Sequence, residues 1–222
     1  MTHLDEQINE LKSEVIAMMK LVYKQLDKGK QAVLNFDKSL AHEINSTEKR
    51  VNAMELSIDR TCENILALYN PVAIDLRFVM ASFKISSDLE RLGDNAVGIA
   101  KYINNVDAPL DKNELDKIRF EEMYSNALEI LNNVFEAFEK EDTELARKVF
   151  VKDIVLNEIN KNAAPTAVEL IKNNPDKIYN YLYLLAIIRK LERVGDLSKN
   201  IAEELIFYIE AKVLKHRKKE QK

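Results

Sequence analysis

The sequence predicts an all-α protein: six long helices as two tandem, pseudo-symmetric three-helix bundles, over residues 1–106 and 107–222, the second ending in a basic tail. Three observations carry that expectation. Glycine and proline number only four each among 222 residues, while 32% are charged and 46% hydrophobic. That balance suits long helices with charged outer faces and leaves too few turns for a doubly wound sheet. Apolar residues recur at alternating intervals of three and four, the period of a helix stripe. Finally, the order of breaks in the first half repeats in the second, and each half holds one copy of an acidic heptapeptide, DLERLGD at 88–94 and KLERVGD at 190–196.

The elements follow in order. The first stretch begins in the amphipathic segment MTHLDEQINELKSEV and reaches a turn region marked by Asp27-Lys28-Gly29-Lys30 and Asn35-Phe36-Asp37. Asp37 opens the second stretch. Asn70-Pro71 is the next boundary, with Asn70 read as an N-cap and Pro71 as the first turn of the third stretch. The segment NNVDAPLD, 104–111, is the linker, and Asp111 followed by Glu114 resembles a capping box for the fourth stretch. Asp142 opens the fifth as Asp37 opens the second, and Pro165 should kink it. Asn173-Asn174-Pro175 repeats the Asn-Pro corner before the sixth. Pro71 and Pro175 lie 104 positions apart, and Glu90 and Glu192 lie 102 apart. Three long helices joined by short turns run up, down and up around a shared apolar core.

The stripe through the repeated motif is explicit. Ile85, Leu89, Leu92, Ala96, Ile99 and Ile103 correspond to Ile187, Leu191, Val194, Ser198, Ile201 and Leu205. This spacing is the seam of a left-handed bundle. Glu90 and Asp94 sit on its flank, four apart and therefore on one face, and Glu192 and Asp196 do the same.

An acidic pair at that spacing is common: 37 acids in 222 residues give about six by chance, mostly on solvated faces. The repeated context gives these two pairs more weight. Each copy also keeps a glycine inside a helix, at about 1 kcal/mol relative to alanine, which asks for a packing or access reason. Antiparallel folding about Pro71 sets residues level when their numbers add to about 142; this places Asn52 opposite Glu90 and Glu48 opposite Asp94. The same rule at the second corner places Asn157 opposite Glu192 and Asp153 opposite Asp196. Four oxygen-bearing side chains therefore gather in each half.

Clustered carboxylates repel unless they are protonated, paired or bridged by a metal. Two readings follow. Arg91 and Arg193 adjoin the motifs and could make each flank a salt-bridged surface, an arrangement that contributes little. Alternatively, an oxygen-only donor set suits a hard divalent or ferric ion, Mg²⁺, Mn²⁺, Ca²⁺ or iron, with zinc entering only as a substitute.

The strings NPVAIDLRFVMASFKISSDLERLGDNAVGIA and LLAIIRKLERVGDLSKNIAEELIFYIE resemble the two hallmark segments of the PhoU family of phosphate-transport regulators. The resemblance covers nearly the whole chain. It implies a pair of three-helix bundles whose acidic motifs hold metal on the bundle surface, here Glu48, Asn52, Glu90 and Asp94, and Asp153, Asn157, Glu192 and Asp196. It further implies a non-enzymatic, cytoplasmic negative regulator linking the ATPase of a phosphate ABC transporter to a sensor histidine kinase; the long amphipathic helices suit a homodimer. The chain departs from the family where a histidine often follows the motif aspartate, since Asn95 and Leu197 stand there, and in having Asn157 where an aspartate is common. Fewer charged ligands imply weaker metal binding, above all in the second half.

Other features read as ordinary. Glu55 and Asp59 fall level with Ser87 and Phe83 and are assigned to a solvated face. Arg77 is read as an ion-pair member. Tyr179, Tyr181 and Tyr183 alternate and cannot share one helical face. Cys62 excludes an intrachain disulfide and reads as a small core residue. Net charge is −4, which speaks against nucleic acid; Lys212, Lys215, Arg217, Lys218, Lys219 and Lys222 cluster at the end as a solvated helix terminus. Neither a signal sequence nor a membrane span is evident. A ferritin-like di-metal enzyme would need Glu-x-x-His motifs, which are missing, whereas an accessory of a different phosphate or anion transporter remains the neighbouring alternative.

Overall fold

The structure is a computed structural model describing residues 2–106, 108–109 and 111–214. Its helices are α1 (His3–Asn35), α2 (Lys38–Tyr69), α3 (Ala73–Asn105), α4 (Lys112–Lys117), α5 (Phe120–Lys140), α6 (Thr143–Asn173) and α7 (Ile178–Glu210), with a short 3₁₀ turn at Pro175–Lys177 before α7. The all-α architecture of two three-helix halves stands. The fourth stretch differs in being split into α4 and α5. Arg119 adopts a left-handed conformation (φ 56°) between them, its guanidinium held by Glu122 at 2.7 Å and Glu158 at 2.8 Å.

The helix starts match their sequence signals. Asp37 accepts from the backbone N–H groups of Ser39 and Leu40 at 2.9 and 3.3 Å, and Asp142 from those of Glu144 and Leu145 at 2.9 and 3.0 Å. Each cap follows a left-handed residue, Phe36 or Glu141, and its own N–H reaches back 2.9 Å to the carbonyl of Ala32 or Ala137. The two corners are therefore the same turn built twice. Asp111 and Glu114 form the expected capping box at α4.

Two expectations need correction. Gly29 marks no turn, because α1 runs through it to Asn35. Its reason is packing: the Tyr124 hydroxyl sits where a Cβ would project and donates to the Leu26 carbonyl at 2.8 Å. Asn70 is the C-cap of α2 rather than an N-cap of α3, in the left-handed conformation that asparagine tolerates (φ 47°). Pro165 lies inside α6, which continues to Asn173 although the ring withholds one backbone donor.

All twelve stripe residues of α3 and α7 are buried. One apolar core runs through both halves, and α3 against α7 is the most extensive helix–helix contact. These two helices run antiparallel: Phe78 meets the Tyr208 ring edge-on at 5.3 Å, Lys84 pairs with Glu204 at 3.0 Å, and Tyr102 lies 5.8 Å from Tyr183. The register places Gly93 level with Gly195, so the two acidic motifs cross at the centre of the molecule. Among the described residues no helix is long and apolar enough to cross a membrane. Of the basic cluster only Lys212 is described, paired with Glu210 at 2.8 Å; the others lie outside the described residues.

The single cysteine behaves as read. Cys62 is buried, its thiol pushed up to about 12 by burial first and nearby acids second, and it faces the Val79 carbonyl. Of the alternating tyrosines, Tyr181 is buried and Tyr179 exposed. Arg77 donates to the Tyr208 carbonyl at 3.0 Å, tying α3 to the end of α7.

Candidate functional site

In the first half, packing of α2 on α3 brings the acids together. Gly93 lets the helices approach: a Cβ there would meet the Val51 methyl at 3.1 Å. Two turns nearer the corner of the hairpin, the Ser86 hydroxyl donates to Asp59 at 3.0 Å. Glu48 and Glu90 are half-buried on this flank, whereas Asn52 and Asp94 are exposed. Burial pushes the Glu90 carboxyl up from its ordinary value, and the charges of Asp94 and Glu48 push it further while Arg91 opposes. Arg91 does not close the cluster; it lies 3.7 Å from Asp88 with 63% of its side chain exposed.

Glu55 also belongs here. Its carboxyl is pushed up by burial, then by the charges of Glu90, Asp59 and Asp94. Glu55, expected on a separate solvated face, is thus half-buried and within electrostatic reach of the cluster. The signal was present in the spacing: Glu48 and Glu55 are seven apart, two turns along one face.

The second half gathers the matching residues around a different solution. Asp153 is only 4% exposed. Its Oδ2 accepts from the Lys199 ammonium and the Asn157 amide, both at 2.6 Å, and Lys199 also reaches Asp196 Oδ1 at 2.7 Å. Asp153 Oδ1, buried as well, has no hydrogen-bond partner. It lies against Gly195, where an added Cβ would stand 2.8 Å from Oδ1 and 2.6 Å from a Leu156 methyl. Glu192 is pushed up by burial, then by Asp196 and Asp153, with Lys199 and Arg193 opposing. Burial works against the Lys199 ammonium, but its bonds to Asp153 and Asp196 outweigh it, so its pKa stands above the usual lysine value. Sequence reasoning missed Lys199. Its counterpart at the 102-residue offset is Val97, so the shared positions gave no hint of it.

Because α3 and α7 cross at the motifs, the two flanks meet in one cleft. A cavity of about 380 Å³ is lined by Arg91, Asp94, Asn95, Lys190, Arg193 and Asp196 among others. A second, of about 330 Å³, is bordered by Glu48, Asp94, Val97 and Lys190. Gly98 lies beneath Lys190, whose Cε would stand 2.8 Å from an added Cβ.

Of the eight expected metal ligands, Glu48, Glu90 and Asp94 are thus neighbours across α2 and α3, with Asn52 exposed one turn from Glu48, and Asp153, Asn157, Glu192 and Asp196 are neighbours across α6 and α7. Among the described residues, no three His, Cys, Asp or Glu side chains already converge as a ligand set. The first group fits a hard cation by chemistry. Its donors are oxygens, burial and neighbouring carboxylates push Glu90 and Glu55 up with only Arg91 opposing at Glu90, and Asp94 and Asn52 are exposed. The second group does not fit, because an ammonium already bridges Asp153 and Asp196.

Fold and site together define a two-fold repeated helical scaffold with charged flanks at its crossing. A family model described as the PhoU domain matches residues 15–103 and again 120–205, one copy per half. The chain belongs to the PhoU family. It is 33% identical to a phosphate-specific transport system accessory protein PhoU homolog of Aquifex aeolicus, over 96% of each chain. Its fold is similar to that of PhoU from Pseudomonas aeruginosa (TM-score 0.86, 28% identity, 95% of this chain and 100% of the other). It is also similar to the phosphate transport system regulatory protein PhoU from Streptococcus pneumoniae (TM-score 0.83, 28% identity, covering 96% and 99%). These relatives bear the names of accessory and regulatory proteins rather than enzymes.

Proposed function

We propose that this protein is a cytoplasmic accessory regulator of a phosphate transport system, restraining phosphate uptake and the phosphate-starvation response. The observation that supports the reading is the full-length likeness to relatives named as accessory proteins of a phosphate-specific transport system, with a PhoU domain in each half. Its partners are the ATPase of a phosphate ABC transporter and a sensor histidine kinase, and it acts as a homodimer. The first-half flank holds a hard cation through Glu48, Asn52, Glu90 and Asp94. A bound divalent ion would neutralise carboxylates that otherwise repel and would fix α2 against α3 at the cleft edge.

The test is deletion of the gene in its own cell, followed by phosphate uptake and a starvation-responsive reporter. Derepressed uptake or reporter activity in phosphate-replete medium is the expected result. Unchanged signalling, together with pull-downs that recover neither transporter ATPase nor kinase, removes the proposal. Light scattering of the purified chain tests the dimer.

A further inference from the structure

The two acidic flanks occupy equivalent places but do not offer a cation the same thing. In the second half the place between the facing carboxylates is filled by the chain itself. The Lys199 ammonium bridges Asp153 and Asp196 at 2.6 and 2.7 Å, joining α6 to α7 across the line where a metal would join them. Asp153 is buried, and Asn157 turns its amide to the same carboxylate oxygen at 2.6 Å. Two of the four donors are therefore spent on an internal cation, and a third, Asn157, is spent on the Asp153 carboxylate. Asp153 Oδ1 remains buried and unpartnered against Gly195, a donor suited to an ion that the lysine keeps out. In the first half the corresponding position is Val97, which contributes no charge; Lys101 and Lys190 line the cavity that it borders with Glu48 and Asp94, but among the described residues neither lysine forms an ion pair with those acids as Lys199 does with Asp153 and Asp196.

We infer that Lys199 takes the place of a metal in the second half, so that the chain binds a hard cation at the first flank alone and closes the second without one. This rests on the reading of the first flank as a cation site. A tethered ammonium supplies one positive charge at no cost in free-ion concentration, so α6 and α7 stay joined whatever the metal supply. A free divalent ion competing for Asp153 would have to displace a buried ion pair. The cation response of the protein is thereby confined to α2 and α3.

Mn²⁺ titration of purified protein, with the bound ion counted by equilibrium dialysis and elemental analysis, tests this. Three chains are compared: wild type, Lys199→Ala, and Val97→Lys, which installs the lysine in the first half. Circular dichroism checks that each is folded. One ion per chain is expected for wild type, two for Lys199→Ala and none for Val97→Lys. Two ions in wild type, or one ion in a folded Lys199→Ala, overturns the inference while leaving the first site intact. No ion in wild type but one in Lys199→Ala removes the first-flank reading and keeps the lysine's role. No ion in either removes both. Should Val97→Lys fail to fold, the wild-type and Lys199→Ala counts decide alone.

Discussion

Glu48, Asn52, Glu90 and Asp94 in the first half and Asp153, Asn157, Glu192 and Asp196 in the second occupy matching places on matching hairpins, yet they solve the problem of crowded charge in opposite ways. The first flank keeps its acids half-exposed and lets them repel. The second sinks Asp153 into the interface and gives it Lys199. Below that difference the halves are alike: the same aspartate caps, the same left-handed corners and the same buried stripe. Duplication preserves what packing demands, and the flank, which packing does not decide, is where the copies diverge.

That comparison is open to being broken first at its common ground. Leu89 and Leu191 are both fully buried at equivalent seam positions. Leu89→Ala and Leu191→Ala should each cost about 3 kcal/mol in urea unfolding. Costs differing severalfold would mean that the halves are not packed as equivalents.

The next test sharpens the difference. Asp153→Ala removes the buried partner of Lys199, whereas Glu48→Ala removes a half-exposed acid from a repelling group. The expected losses are about 2 kcal/mol for the first and about zero or a slight gain for the second, the buried value reduced because Lys199 keeps Asp196 and part of its hydration. Equal losses would place both acids in the same kind of environment. Glycine comes next. Gly195→Ala should destabilise by about 1 kcal/mol, since its Cβ would press on Asp153 and Leu156. Gly93→Ala should be nearly neutral, because a shift of a few tenths of an ångström by Val51 is offset by alanine's helix propensity.

How much of this was legible in the sequence depends on whether the signal was local or relational. The stripe of α3 and α7 was legible in full, because the period of buried residues is written in residue spacing. The Asp37 and Asp142 caps were legible because a cap is a contact between near neighbours. Gly29 was misread as a turn because its reason, the Tyr124 hydroxyl, lies 95 positions away in the chain. Asn70 was assigned to the wrong helix because asparagine suits either side of a corner, as N-cap or as left-handed C-cap. On the flanks, hairpin arithmetic set Glu48 near Asp94 and Asp153 near Asp196, since it needs only a straight antiparallel pair. It missed Lys199, because a search for residues that the halves share cannot find the one that only one half has. It also missed the crossing of the two motifs, which depends on how α3 packs on α7 and leaves no local mark.

The smallest expected effect reads the two flanks through pH. The folded state raises the carboxyl pKa of Glu90 and Glu55 in the first half, and of Glu192 in the second, above the ordinary 4.5. A raised acid binds its proton more tightly folded than unfolded. Its contribution to stability is therefore greatest below pH 4.5 and is lost as pH rises through the folded value. In metal-free protein, Glu90→Gln should then be more stable than wild type at pH 7 by about a few tenths of a kcal/mol after solvent screening, and indistinguishable from it near pH 4. Glu192→Gln should show a smaller gain, since Lys199 already opposes the repulsion. Excess Mn²⁺ adds the decisive arm: if the first flank holds the cation, Mn²⁺ stabilises wild type and the Glu90→Gln gain at pH 7 turns into a loss. The Glu192→Gln gain should stay as it was. Thermal unfolding of the three chains at both pH values, with Mn²⁺ and with chelator, measures this, and a sign change at both positions would mean that the two flanks are equivalent cation sites after all.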